Sequence, residues 1–190
     1  MKKLVFLHGA GSDYMAYHDT MEAFSRLVDA ELISFNAPFR HPTKENKFIW
    51  FNKVEQNGRR DAVYEDYMFS MQYIKNKLYE ISDNLKEIIL IGHSQGGGMA
   101  AHVGLELNLN TAICICADLP YNVTYKKQSE TPICWFEAGC DGYIDANRKA
   151  SYKMLEKIGA NLHYQILPQS THCKFSDELL PVLKRYFKKT

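Results

Sequence analysis

Short apolar runs recur along the chain, each followed by a turn and then by a stretch with helical spacing. The runs are Leu4–Leu7, Glu31–Phe35, Glu87–Ile91, Ala112–Cys116, Ile133–Phe136 and Leu162–Leu167. They lack the period-two alternation of a half-exposed strand, so they predict strands buried on both faces, as in a parallel sheet. Helices are predicted over Tyr14–Asp29, Asp61–Ser82, Gln95–Leu107, Ile144–Ile158 and Phe175–Lys189. In the second of these, Val63, Tyr67, Ser70, Ile74, Leu78 and Ile81 recur at spacings of three or four, which puts them on one face. Gly159 stands where the fourth should stop. Strand then helix, repeated, is the pattern of an α/β domain with right-handed crossovers. The expected architecture is a minimal, mostly parallel sheet of about six strands with helices on both faces. Pro38–Gly58 breaks the pattern: it is polar, with two prolines and the aromatic group Phe48, Trp50 and Phe51, and it shows no clear period. It reads as a loop, and loops of that length inside a domain tend to be functional.

Composition narrows the picture. A chain of 190 residues, 46% of them hydrophobic, suits one domain over residues 1–190 with a sizeable core. Its 23 basic and 22 acidic residues leave a net charge of +1, which provides no field to draw in nucleic acid or an anionic membrane surface. The C-terminal Lys184, Arg185, Lys188 and Lys189 read as the solvated face of a last helix. The five cysteines are odd in number and show no zinc or redox spacing. Three of them, Cys114, Cys116 and Cys134, sit inside apolar runs as small hydrophobes. A reducing cytosol suits that pattern, so a cytoplasmic location is expected. The apolar run before His8 is shorter than the roughly 7–15 residues of a secretory core, and no stretch approaches the roughly 18 of a membrane span. Neither stable membrane association nor a nucleic-acid partner is expected.

The chemistry gathers at Leu90-Ile91-Gly92-His93-Ser94-Gln95-Gly96-Gly97-Gly98, which contains G-x-S-x-G between a buried run and a helical one. That context gives the pentapeptide its meaning: a sharp strand-to-helix turn lifts the Ser94 hydroxyl clear of the sheet. Backbone passes too close for side chains at Gly92 and Gly96. A phosphate-binding turn is the alternative, but neither G-x-G-x-x-G nor a Gly-Lys-Ser/Thr ending is present.

A serine nucleophile needs a base, and the base needs an acid to orient it, in the chain order Ser, Asp or Glu, His. Of seven histidines, His8, His18, His41, His93 and His102 come too early or lie within the helix after the elbow, and His163 falls inside the last strand run. His172 follows the last strand and precedes the last helix, where the base should sit. Asp141, past the penultimate strand, is the first choice for the acid; Asp118 is the runner-up and Asp145 a third, more readily a helix cap. An oxyanion hole is worth about 10²–10³ in rate per donor. The Gln95 N–H qualifies by position, and Ala10, in the turn Leu7-His8-Gly9-Ala10-Gly11 after the first strand, is chosen for the second.

These pieces resemble the α/β-hydrolase superfamily. Within it the chain is most similar to the small phospholipase/carboxylesterase group, which includes acyl-protein thioesterase-like enzymes. The resemblance rests on Leu7-His8-Gly9-Ala10-Gly11, Gly92-His93-Ser94-Gln95-Gly96-Gly97, Gly139-Cys140-Asp141-Gly142-Tyr143-Ile144, Thr171-His172, and Ala37-Pro38 followed by Trp50-Phe51. It implies Ser94, Asp141 and His172 as a triad and Ala10 and Gln95 as oxyanion donors. It also implies hydrolysis of carboxylic esters or thioesters without metal or organic cofactor. Two departures stand out: Leu4–Leu7 corresponds to the third strand of a full hydrolase sheet, and Thr171 stands where that group usually has glycine.

Ala117–Thr131 is too short to hold a helical cap, so an open site for small ester substrates with short- to medium-chain acyl groups is expected. Phe39, Trp50, Phe51, Met99, Leu119 and Tyr143 are candidate apolar walls, with core packing the alternative for each. Cys140 and Cys173 flank the acid and base, where oxidation could alter activity, although two small hydrophobes placed by coincidence is the plainer account. Acyl transfer or peptide hydrolysis on the same fold, and a non-catalytic ligand-binding protein, are the rival readings. Nothing in the sequence decides between monomer and homodimer.

Overall fold

The structure is a computed structural model that describes residues 1–56, 59–140 and 146–189; within these, the side chains of residues 56, 59, 60, 146–149 and 189 are not described. Its centre is a six-stranded sheet built from β1 (Lys2–Leu7), β2 (Ala30–Ser34), β7 (Ile88–His93), β8 (Thr111–Ile115), β9 (Ile133–Ala138) and β10 (Leu162–Leu167). The order across the sheet is β10-β9-β8-β7-β1-β2, and every pairing is parallel.

The expected six parallel strands are all present, and the burial pattern shows why their runs are continuous. In β7, Ile88 and Leu90 enter one core while Ile89 and Ile91 enter the other. β1 divides in the same way, with Val5 and Leu7 on one face and Leu4 and Phe6 on the opposite one. Side chains alternate between faces along a strand, and here both faces are apolar, so every position must be. The edge strands β2 and β10 are only partly buried.

Helices α2 (Tyr64–Ile81) and α3 (Gln95–Glu106) cover one face, with α4 (Ala146–Lys157) contributing Leu155 to the same core. Helices α1 (His18–Leu27) and α5 (Ser176–Lys189) cover the other. α3 is the innermost, buried from Gln95 through Leu105, and its small residues let it lie close to the sheet. A methyl group on Gly104 would sit 2.7 Å from Ala112 Cβ on β8. Lys184, Arg185 and Lys188 of α5 are exposed, as a solvated face requires. No described helix is long and apolar enough to cross a membrane.

Two boundaries differ from the sequence reading. The Pro38–Gly58 segment carries local order: β3 (Phe39–Arg40) pairs antiparallel with β4 (Phe48–Ile49), and β5 (Lys53–Gln56) pairs with β6 (Arg59–Ala62). Because β6 takes the residues through Ala62, α2 starts at Tyr64 rather than Asp61. These strands are too short to show a period, and their order comes from cross-strand and side-chain bonds. Likewise α1 begins at His18, the residues before it forming turns.

Candidate active site

β7 ends at His93 and α3 begins at Gln95, leaving Ser94 alone to make the turn. Its backbone sits at φ 53, ψ −118, a region costly for any residue with a Cβ and tolerated where function requires it. The surrounding backbone leaves no alternative. A Cβ on Gly92 would lie 2.2 Å from the Gly96 carbonyl oxygen, and one on Gly96 would lie 2.4 Å from the Leu7 oxygen. Both elbow glycines are therefore dictated by close approach, and the second seats the first turn of α3 against the end of β1. Ser94 remains partly exposed amid buried neighbours.

His172 arrives from the far end of the chain. It occupies the two-residue tip between Thr171 and Lys174, whose N–H groups each donate to the other's carbonyl at 2.9 and 3.2 Å. Beneath this hairpin, Ser170 Oγ and the Gln169 N–H both donate to Glu178 Oε2, at 2.5 and 2.9 Å. The Cys140 N–H donates to the Ser170 carbonyl at 2.9 Å. The tip meets the elbow through His93: its Nε2–H donates to the His172 carbonyl at 2.7 Å, and the two rings lie 4.8 Å apart. Tyr17 and Phe175 pack their rings on His93 at 5.1 and 5.2 Å. His172 is thus brought beside the residue that precedes Ser94, although no described hydrogen bond joins Ser94 Oγ to its ring.

Asp141 and Asp145 lie outside the described residues, as does Tyr143. Asp118, the alternative acid, faces Lys53 at 4.0 Å. His163 is exposed on β10, and its ring packs against Tyr186.

The two proposed oxyanion donors sit on adjoining backbone. Among the described residues, no acceptor takes the N–H of Ala10 or of Gln95. The Gln95 side chain, which the sequence reading passed over, is buried and ties down the 48–52 segment. Its Oε1 accepts the Trp50 N–H at 2.8 Å and its Nε2 donates to the Phe51 carbonyl at 2.7 Å. Trp50 in turn donates its indole N–H to the His8 carbonyl at 2.8 Å, and Ser70 Oγ donates to the Trp50 carbonyl. A glutamine next to Ser94, at the start of a helix that packs into the core, was the available signal, since a carboxamide in a core must find partners.

The apolar candidates divide. Trp50, Phe51, Met99 and Leu119 belong to the α2–α3 core, and Trp50 and Met99 have no accessible surface at all. Core packing, the alternative for each, therefore describes Trp50 and Met99, while Phe51 and Leu119 keep a few per cent of their surface. Phe39 is half-buried against Phe69, with ring centroids 5.6 Å apart. Cys114, Cys116 and Cys134 are buried, whereas Cys140 and Cys173 are exposed. No disulfide links any of the five, all of which are among the described residues.

The profile of the phospholipase/carboxylesterase family matches residues 1–189. A putative carboxymethylenebutenolidase of Saccharolobus solfataricus is 29% identical over 104 residues, which are 55% of this chain and only 40% of that protein. The match therefore spans less than half of that relative's length. A carboxylesterase from Mesorhizobium loti superposes with a TM-score of 0.80 at 15% identity, covering 100% of this chain and 89% of the other. Arabidopsis thaliana SOBER1 gives 0.76 at 20%, covering 99% and 98%. Zea mays acyl-protein thioesterase 2 gives 0.73 at 18%, covering 98% and 93%. At these identities the structural likeness speaks to the fold, and the profile match to descent. The chain belongs to the phospholipase/carboxylesterase family and has the α/β-hydrolase fold.

Proposed function

We propose that this protein is a serine esterase in which Ser94 attacks the carbonyl of a carboxylic ester and His172 removes its proton. Asp141 orients the imidazole, and the N–H groups of Ala10 and Gln95 receive the oxyanion. The acyl group passes to Ser94 Oγ as the alcohol leaves with the proton returned from His172. Water, deprotonated by the same imidazole, then frees the acid. The observation that carries this reading is the Ser94 backbone at φ 53, ψ −118 at the mouth of α3. Backbone in such sparsely populated regions costs about 1–3 kcal/mol and clusters at active sites, where the raised side chain is used. The anchoring of the His172 hairpin to His93 supports the choice of base.

No helix or strand lies between β8 and β9, and with no cap inserted there the site stays open on that side. The buried Trp50 and Met99 fill the space under it. Both features favour short- to medium-chain acyl groups, with thioesters a second substrate class. A fluorophosphonate probe should label the protein, and Ser94→Ala should abolish labelling; undiminished labelling of that variant would overturn the assignment. A p-nitrophenyl ester panel should show activity falling with chain length, and preference for long acyl chains would contradict the substrate class.

A further inference from the structure

His8 is buried, with no accessible surface, at the end of β1. Its Nε2 lies 3.0 Å from the backbone nitrogen of Ala37. That N–H can only donate, so Nε2 must be an unprotonated acceptor and the ring proton must sit on Nδ1. Nδ1 lies 2.8 Å from the Gly9 carbonyl oxygen, which therefore accepts the Nδ1–H. The tautomer follows from the partners alone.

The Gly9 carbonyl and the Ala10 N–H belong to one planar peptide unit, so fixing one end fixes the direction of the other. The units on either side are held too. Trp50 Nε1–H donates to the His8 carbonyl at 2.8 Å, and the Gly11 N–H donates to the Phe48 carbonyl at 2.9 Å. Three successive peptide planes are each pinned by one hydrogen bond, and the Ala10 N–H, on an exposed residue, has no acceptor among the described residues. Trp50 is itself held by the carboxamide of Gln95, the other donor residue. Hydrogen bonds in series also polarise one another, so donation to the Gly9 oxygen makes the Ala10 N–H a stronger donor.

We propose that His8 is a positioning residue for the oxyanion hole, its Nδ1–H holding the Gly9–Ala10 peptide so that the Ala10 N–H meets the developing negative charge. This rests on the esterase reading above. Burial holds the imidazole below its ordinary pKa, which agrees with a neutral ring.

Two substitutions separate the two ring nitrogens. In His8→Asn the amide nitrogen takes the place of Nδ1 and keeps the bond to Gly9; in His8→Gln the amide oxygen takes the place of Nε2 and keeps only the bond to Ala37. Each variant loses one buried hydrogen bond, so a merely structural role predicts equal losses of thermal stability and of activity. A positioning role predicts that His8→Gln loses kcat about 10–100-fold with KM little changed, less than the full loss of a donor, while His8→Asn stays near the parent. The affinity of a trifluoromethyl ketone, whose hemiketal places an oxyanion in the hole, should weaken in parallel with kcat. Equal kcat in the two variants overturns the proposal. If neither folds, the parent decides: long-range 15N–1H NMR should show His8 protonated on Nδ1 alone, and a proton on Nε2 overturns the proposal. The parent and Ser94→Ala are labelled with fluorophosphonate in the same series. Loss of Ser94-dependent labelling in the parent removes the esterase reading and this proposal together, whereas intact labelling with equal His8 variants removes this proposal alone.

Discussion

The imidazole of His93 donates from Nε2 to the carbonyl oxygen of His172 at 2.7 Å, across 79 positions of the chain. The last residue of the strand that leads into Ser94 thereby holds the loop that carries the proposed base. His93→Phe keeps a ring among Tyr17 and Phe175 but removes this donor. Misplacement of a catalytic group by about 1 Å can cost 10²-fold, so the expected result is a fall in kcat of about 10–100-fold, read with a short-chain p-nitrophenyl ester.

The elbow stores conformational strain that a different residue would relieve. At φ 53, ψ −118, the Ser94 backbone is the mirror image of an ordinary extended conformation, which glycine adopts freely. Ser94→Gly should raise thermal stability by about 1 kcal/mol while abolishing fluorophosphonate labelling, and chemical denaturation measures the gain.

Close backbone approach makes the neighbouring glycines intolerant. In Gly96→Ala the added methyl group would meet the Leu7 and His8 carbonyl oxygens at 2.4 and 2.5 Å. Backbone cannot retreat as a side-chain tip can, so destabilisation of about 3 kcal/mol or more is expected, the upper part of the overpacking range. Gly159→Ala gives a contrasting control: nothing lies within 4 Å of the new methyl group, and only the cost of φ 73 applies. Urea unfolding of the two variants compares them.

A partly buried polar chain joins α2 to α3 and predicts an acid limb of stability. Glu106 lies 3.3 Å from His102 Nε2 and 2.9 Å from Lys75 Nζ, and Tyr67 Oη is 3.0 Å from His102 Nδ1. The hydrogen bond from His102, then that from Lys75, hold the Glu106 carboxyl down from 4.5 to about 2 against the opposing effect of burial. A carboxyl that binds its proton less readily folded than unfolded contributes stability fully above about pH 4.5, and that contribution is lost as pH falls towards 2. Glu106→Gln should be less stable than the parent near neutrality, with the difference shrinking over that window in thermal melts.

The strand runs, the helical periods and the serine turn were legible from the amino-acid order because each depends on neighbours close along the chain. Apolar side chains on consecutive positions demand two buried faces, and Gly92, Ser94 and Gly96 mark a turn that few other residues could make. Chain order also pointed to His172 by elimination. The 38–58 segment was not legible, because Phe48, Trp50 and Phe51 in it are held by Ser12, Gln95 and Ser70 from elsewhere in the fold. Nor could Trp50 and Met99 be told from pocket walls, since burial is a property of what surrounds a side chain. The contacts of His8 and His93 were likewise hidden: each depends on which ring nitrogen meets which backbone group, at Ala37 and Gly9 for one and at His172 for the other. Local order along the chain determined the architecture and the sharp strand-to-helix turn at Ser94. Hydrogen bonds between remote segments, directional and formed only once the sheet has brought those segments together, decided how the site is held.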